Sequence, residues 1–548
     1  MKKVILTGVA LMAFAAAGFA QSNQSTVNQN GTAQTAEVGQ QGNSQTSNIQ
    51  QTQGSSSNYG NYAATFQGTL STPTSGPNTA EINQKDGSQG NRAAADQAGA
   101  NNSSTINQNG GVQGASGGAS EKATLGNAAG SGNFAGTQQV GTYGTATINQ
   151  NNNSTTNNGE IRQNGSGTGS SDAEKNNGAI SQSNNSSGNL ADIYQGSDAS
   201  TALTPVKGNK ATVEQNGGEA GASTSNDATI SQTSNGNTAT VLQNNLSTDN
   251  EAIVNQSGSA TGSTAEVFQN NNSSNNKSFV DQAGSGGHKA IVKQEGNGVS
   301  SYSNVTDVDQ SGSGNDATVN QLGGGMGSSY NNDVKVTQAG SSNDAFVDQN
   351  NNSHHNQAVV QQVGFGSIAT IKQIDASADN LATIKQNGTT AFGPNEATIE
   401  QINAYNAGGS SPITPGVATG NTATIEQNIG GTFAGSGNVA FIKQGSSSAA
   451  PSDNNVASIK QEYSDNQARL EQVGTGNQGF ITQTGDFNQV RNANGAEGSF
   501  ATQKGTDNYL KVDQNSGGSA PYAPNFANVS QEGTGNSATI MQTGVANP

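Results

Sequence analysis

A short element, Ala-x-Φ-x-Gln with Φ an Ile, Val or Leu, recurs along nearly all of the 548 residues. It stands at Val27/Gln29, Val38/Gln40, Ile49/Gln51, Ile82/Gln84, Ile148/Gln150, Val213/Gln215, Ile371/Gln373, Ile425/Gln427 and Ile481/Gln483, with roughly three dozen copies when weaker versions are included. The spacing has a floor. Gln29 to Gln40 to Gln51, Gln310 to Gln321, Gln338 to Gln349, Gln461 to Gln472 to Gln483, and Gln531 to Gln542 are all steps of eleven, and longer steps read as eleven plus an insertion. The fullest units run Gln310, Gly312, Asn315, Ala317, Val319, Gln321; Gln338, Gly340, Asn343, Ala345, Val347, Gln349; and Gln531, Gly533, Asn536, Ala538, Ile540, Gln542. Asn, Ala, Φ and Gln fall two apart, so a strand carries them on one face, while Asp316, Thr318 and Asn320 point the other way. Gly312, Gly340 and Gly533, two places after a Gln, are turn residues.

One such strand cannot fold alone. Burying its Val or Ile contributes about 1.5–3 kcal/mol, whereas ordering each backbone residue costs about 1–2 kcal/mol. Stacking strand on strand meets the shortfall. The buried Gln and Asn amides must then bond to their copies in the next rung, as in cross-β stacks. Composition agrees. Hydrophobic residues are 30% and charged residues 11%, too few for several conventional enzyme cores or for a disordered polyelectrolyte. Cys 0 excludes a disulfide scaffold, and a net charge of −17 argues against a nucleic-acid partner.

The outward residue between Φ and Gln indicates how many strands make a rung. Two strands per rung, about 22 residues, align one column as Lys293, Asn320, Asp348, Lys372, Glu400, Lys443, Glu471 and a second as Asp309, Thr337, Gln361, Lys385, Glu426, Lys460, Thr482. Neither column sets like charges side by side, whereas one strand per rung puts Lys372 on Lys385 and Glu400 on Glu426. The expectation is an all-β solenoid of strand–turn–strand rungs with Asn/Gln ladders inside, about eighteen rungs tall and roughly 80–90 Å long.

Residues 1–20 read as a secretory signal peptide: basic Met1-Lys2-Lys3, an apolar run from Val4 to Ala17, and small residues before Gln21. No second apolar run follows, so membrane insertion is not expected, and the mature chain is expected outside a bacterial cell. Residues 21–109 and 145–548 read as repeats. Residues 110–144 read as a Gly/Ala-rich degenerate repeat or insertion, and loop insertions are expected near 403–420, around Pro412 and Pro415, and near 515–526, around Pro521 and Pro524. The sequence closes on Gln542 to Pro548 with a single proline, so the end rungs are expected to expose unpaired edges.

The pattern Gln-x-Gly-x-x-Asn-x-Ala-x-Φ-x-Gln, in Gln310 to Gln321 and Gln531 to Gln542, resembles the curlin repeat of bacterial curli amyloid subunits. The resemblance covers most of the mature chain. It implies a self-assembling extracellular fibre for biofilm matrix and adhesion, built by end-to-end homopolymerisation, with a nucleator subunit and a dedicated outer-membrane export pore as partners. The chain departs from that family in being several times longer, in its irregular turn insertions, and in repeats that begin almost at once after Gln21.

No cofactor, metal or catalytic residue is expected. His354 and His355, adjacent on an extended segment, should point to opposite faces, and the calcium-like Gly312-x-Gly314-x-Asp316 has its apolar residue one place late, at Val319. No P-loop Lys follows the Gly-rich stretches, and no carboxylate stands out as a glycosidase acid. Tyr302, Tyr330, Tyr405, Tyr463 and Tyr509 are expected mostly in turns. The alternative function is a monomeric solenoid adhesin or ice-binding rod, with outward Thr370 and Thr424 in rows.

Overall fold

The computed structural model describes residues 22–544 except 32–33, 53–60, 69–75, 86–89, 110–131, 152–154, 167–174, 197–205, 219–221, 260, 297–298, 325–327, 351–352, 375–376, 389–393, 403–419, 429–436, 446–451, 497 and 517–524. The proposed signal peptide and most of the three proposed insertions therefore lie outside the described residues. Everything described is strand, turn or connecting loop, and no helix in it is long and apolar enough to cross a membrane.

The chain alternates between two parallel sheets. The first runs from Gln24–Asn30 through Asp316–Asn320 to Ser530–Thr534, and the second from Thr35–Gln40 through Val305–Ser313 to Ser537–Thr543. Each strand pairs with the strand one full turn of chain before and after it. Ala317 aligns with Ala345 and Val319 with Val347, and Gln310 aligns with Gln338. The first sheet has 20 strands because its last two rungs are each split in two, and the second has eighteen, so eighteen rungs are described. A rung is two main strands, as the charge columns required. Every step of both columns occurs as a paired position. Lys372 meets Glu400 at 3.2 Å, Lys385 meets Glu426 at 3.2 Å, and Lys443 meets Glu471 at 3.3 Å. Each exposed pair contributes at most about 1 kcal/mol, so these contacts select register more than they stabilise it.

The alternation is not universal. One rung before Asp309 stands Asp281, and other columns set Asp316 beside Asp344 and Asp227 beside Glu251. In-register pairing superimposes whatever residue occupies a slot, and these carboxylates are carried by the rest of the rung.

Small and β-branched side chains fill the space between the sheets. Ala and Φ of nearly every unit are buried in one continuous core, from Ile49 to Val529. Rung length varies from 22 residues (Gln461 to Gln483) to 43 (Gln401 to Gln444), yet the strand register does not change. Insertions are therefore confined to the corners. Residues 134–142, inside the segment read as degenerate, form the strand Phe134–Thr142 and pair with both neighbours.

The corners are where glycine is required. Gly312 and Gly340 have φ of 95° and 110°, outside the left-handed helical well that Asn tolerates. A Cβ on Gly312 would lie 1.9 Å from the Gly340 carbonyl oxygen, and one on Gly340 would lie 2.0 Å from that of Gly364. Gly366, at φ 67° with open space around it, has neither constraint. Gly340→Ala should therefore cost at least about 1–3 kcal/mol and lower the thermal midpoint followed by circular dichroism, whereas Gly366→Asn should leave it near wild type. The reverse ranking would contradict this account of the corners.

Candidate functional site

The chemistry of this molecule is concentrated in two columns of glutamine amides. In the first sheet the Nε2 of Gln29 donates to Oε1 of Gln51, and the chain of bonds continues one rung at a time to Gln531, every distance between 2.7 and 2.9 Å. The second sheet repeats this from Gln40 to Gln542 at 2.7–3.0 Å. Strand geometry dictates the alignment, since equivalent side chains on parallel in-register strands sit one strand spacing apart. Each amide has a second hydrogen, which crosses the core. Gln321 Nε2 also donates to Asn332 O at 3.0 Å, and Gln310 Nε2 to Lys289 O at 2.9 Å. The same group thus bonds rung to rung and sheet to sheet.

Asparagine works differently. The backbone N–H of Asn343 donates to Oδ1 of Asn315 at 3.0 Å, and Asn343 Nδ2 donates to the same oxygen at 3.1 Å. The Asn side chain replaces a main-chain acceptor where the strand bends into the corner.

The residues singled out from the sequence fall into two groups. Gln310, Asn315, Ala317, Val319, Gln321, Gln338, Asn343, Ala345, Val347 and Gln349 are all buried inside the stack. Gln531, Asn536, Ala538, Ile540 and Gln542 occupy the same slots in the last described rung. There Gln531 is still buried, Ala538, Ile540 and Gln542 are half-buried, and Asn536 is exposed, because no described rung covers them. Gly312, Gly340 and Gly533 all have positive φ at the corresponding corner.

Both amide columns run one way. Each Gln gives a hydrogen toward the C-terminal end and receives one from the N-terminal side. Among the described residues, Gln29 and Gln40 donate up the ladder and receive nothing from it, and Gln531 and Gln542 receive and donate only to backbone carbonyls of Tyr509 and Phe526. The first described rung presents amide oxygens and the last presents amide hydrogens. Val27, Ala36 and Val38 at one end, and Ala538 and Ile540 at the other, are only partly buried against the core.

Two features escaped the sequence reading. Many rungs carry a third short face after the first-sheet strand, marked by Ser-x-x-Asn. Ser301 and Ser329 are buried, and Asn304 and Asn332 donate to their hydroxyls at 3.0 and 2.9 Å. That four-residue signal was visible in the sequence ahead of several second-sheet strands, as at Ser301-x-x-Asn304, Ser329-x-x-Asn332 and Ser353-x-x-Asn356. His288 takes an Asn slot, two residues before Ala290. It is 1% exposed, with its Nε2–H donating to Ala283 O at 3.0 Å and its Nδ1 accepting from Asn315 N–H at 3.4 Å. Burial lowers its pKa.

The histidine pair needs correction. His354 and His355 do not diverge. His355 has φ 53°, which turns its ring back to 5.3 Å from that of His354. No group of three or more His, Cys, Asp or Glu that could hold a metal occurs among the described residues.

Carboxylates on the outer faces are shifted toward the neutral form. Burial, then Glu160 and Asp227, push Asp192 up to about 6. Asp227 is raised by burial and then Glu251, Asp281 by burial and then Asp309, and Asp344 by burial and then Asp316.

Two predictions follow from this geometry. Replacing Gln321 with Glu keeps shape but removes the hydrogens given to Gln349 and Asn332. It should cost at least about 1–3 kcal/mol and lower the thermal midpoint, whereas Gln361→Glu on the exposed face should not. Equal effects would contradict the ladder. Acid should stabilise the fold. A carboxyl whose native pKa is raised binds more protons in the folded state, so stability falls as pH rises through the window from its unfolded value near 3.8 to about 6 for Asp192. His288 and His354, both shifted down by burial, oppose this below their unfolded value of 6.5, but they are two groups against several carboxyls. The thermal midpoint should be higher at pH 5 than at pH 7, and a lower midpoint at pH 5 would contradict the reading.

No family model matches the chain, and no curated protein matches it either.

Proposed function

We propose that this chain is a secreted structural subunit that stacks end to end into extracellular, curli-like fibres serving biofilm matrix and adhesion. The observation that carries the reading is the one-way glutamine ladder and its two complementary ends. At the free ends these amides face water, Gln29 exposed and Gln40 and Gln542 half-buried, so what favours stacking is burial of the end rungs' apolar side chains with every ladder amide kept paired. A second copy placed head to tail supplies the missing partners. Gln531 then donates to Gln29 and Gln542 to Gln40, while Val529 covers Val27 and Ile540 covers Val38. Two like ends brought together would set oxygen against oxygen or hydrogen against hydrogen. The ionisable residues of the two outer rungs, Glu37 and Glu532, belong to different sheets and do not stack on one another. The resemblance of Gln310 to Gln321 to a curlin repeat supports the same reading, and with it a nucleating partner and export across an outer membrane.

Ice binding receives less support. Outward Thr runs are short on the first sheet: Thr212 and Thr240 are followed by Glu266 and Ile291, and Phe346 precedes Thr370 and Thr398.

The mature chain, refolded from denaturant, should form Thioflavin-positive fibres with a meridional reflection near 4.8 Å, and their fragments should seed fresh protein. Ile540→Asp places a charge in the half-buried last rung, where a single copy leaves it partly in water and a fibre buries it. It should abolish growth while the rod keeps its β circular dichroism. A chain that never seeds, or an Ile540→Asp variant that polymerises like wild type, would overturn the proposal.

A further inference from the structure

The short third face carries an island of aromatic rings. Its outward column runs Ser274, Tyr302, Tyr330, His354, each pairing in register with the next, and ends against the buried Ala378. Tyr302 and Tyr330 are stacked with ring centroids 4.9 Å apart and planes 2° from parallel. His354 lies 4.9 Å from the other side of Tyr330, tilted by 38°. The cause is the rung geometry. Ser301 and Ser329 are buried beneath the face, so the next residue of each rung must point outward, and parallel register sets one phenol over the other. Both rings are half-buried, so their edges reach solvent. Among the described residues no other pair of tyrosines is in ring contact.

We propose that Tyr302 and Tyr330 form an oxidative coupling site, at which a one-electron oxidant of the peroxide-plus-haem-peroxidase class joins two adjacent rungs through a carbon–carbon bond. Each phenol loses one electron and one proton, giving two tyrosyl radicals. The radicals couple between ring carbons ortho to the hydroxyls, and each ring then returns its ortho hydrogen to the phenolic oxygen. The two electrons and two protons reduce one hydrogen peroxide to two waters, so the sum is two tyrosines plus peroxide giving dityrosine plus two waters. The stack supplies what radical coupling in solution lacks, a partner ring already face to face at rung spacing. The Tyr330 phenol begins protonated, since burial and then Tyr302 raise its pKa. The product is a staple across a boundary otherwise held by hydrogen bonds and ring stacking, so unzipping from either end would stop there.

The test uses the full mature chain, freshly refolded and dilute, treated with hydrogen peroxide and a haem peroxidase. Trypsin cuts after Lys293 and Lys335 and at no site between them, so both tyrosines lie in one fragment. That fragment should become lighter by the mass of two hydrogens and should carry dityrosine fluorescence. Tyr302→Phe and Tyr330→Phe, which keep the rings, should each remove this product. Tyr509→Phe should leave it unchanged, and prior unfolding in urea should abolish it. Coupling mainly between separate chains, coupling at other tyrosines while this fragment keeps its mass, or an undiminished product in Tyr330→Phe would overturn the proposal.

Discussion

The structure depends on a hydrogen bond repeated along an axis, the glutamine amide of one rung donating to the glutamine amide of the next. An amide in an apolar interior is costly unless all its groups are used. Here one Oε1 and both Nε2 hydrogens are engaged at nearly every rung, for example in Gln321. The arrangement is possible only if successive rungs are parallel and in register. It therefore explains why insertions that lengthen a rung from 22 to 43 residues change the corners and leave the strands alone. It also explains a chain with 30% hydrophobic residues that has a continuous core. Ala and a β-branched residue fill the narrow space between sheets, and amides bond where a larger protein would place Leu or Phe.

Aligned amide dipoles reinforce one another in a low-dielectric interior. A ladder with a direction also has two unlike ends. Polarity of the rod is thus a property of each side chain, from Gln29 to Gln531 and from Gln40 to Gln542, and under the proposed function it sets the orientation of one copy on the next. The outer faces are less uniform. Lys372 meets Glu400, but Asp316 meets Asp344, and the protein tolerates both because surface charge contributes little beside the ladder.

Much of this was legible in the sequence because register in a parallel stack is a rule about spacing. The two-residue period identified the buried face at Asn315, Ala317, Val319 and Gln321, and the sign of the charges at Lys372, Lys385, Glu400 and Glu426 separated two strands per rung from one. What escaped was what spacing does not encode. The left-handed turn at His355 reverses the alternation that an extended strand would impose, and it depends on a single backbone angle. The third face was written in Ser301-x-x-Asn304 and Ser329-x-x-Asn332, but its two-residue strands are too short to show a period. The direction of the amide bonds follows from which side of each carboxamide faces forward, which no residue name records. His288 was hidden by its chemistry. It fits an asparagine slot because a neutral imidazole, like an amide, offers one donor and one acceptor.

The most direct measurement is magnetic resonance of the glutamine side chains, with contacts mapped from the Nε2 hydrogens of Gln321 in selectively labelled protein. The account predicts that they lie against the carboxamides of Gln294 and Gln349, two units away in either direction, and exchange slowly with water. Contacts with the carboxamides of Gln310 and Gln338 as rungs above and below, or rapid exchange with solvent, would contradict it.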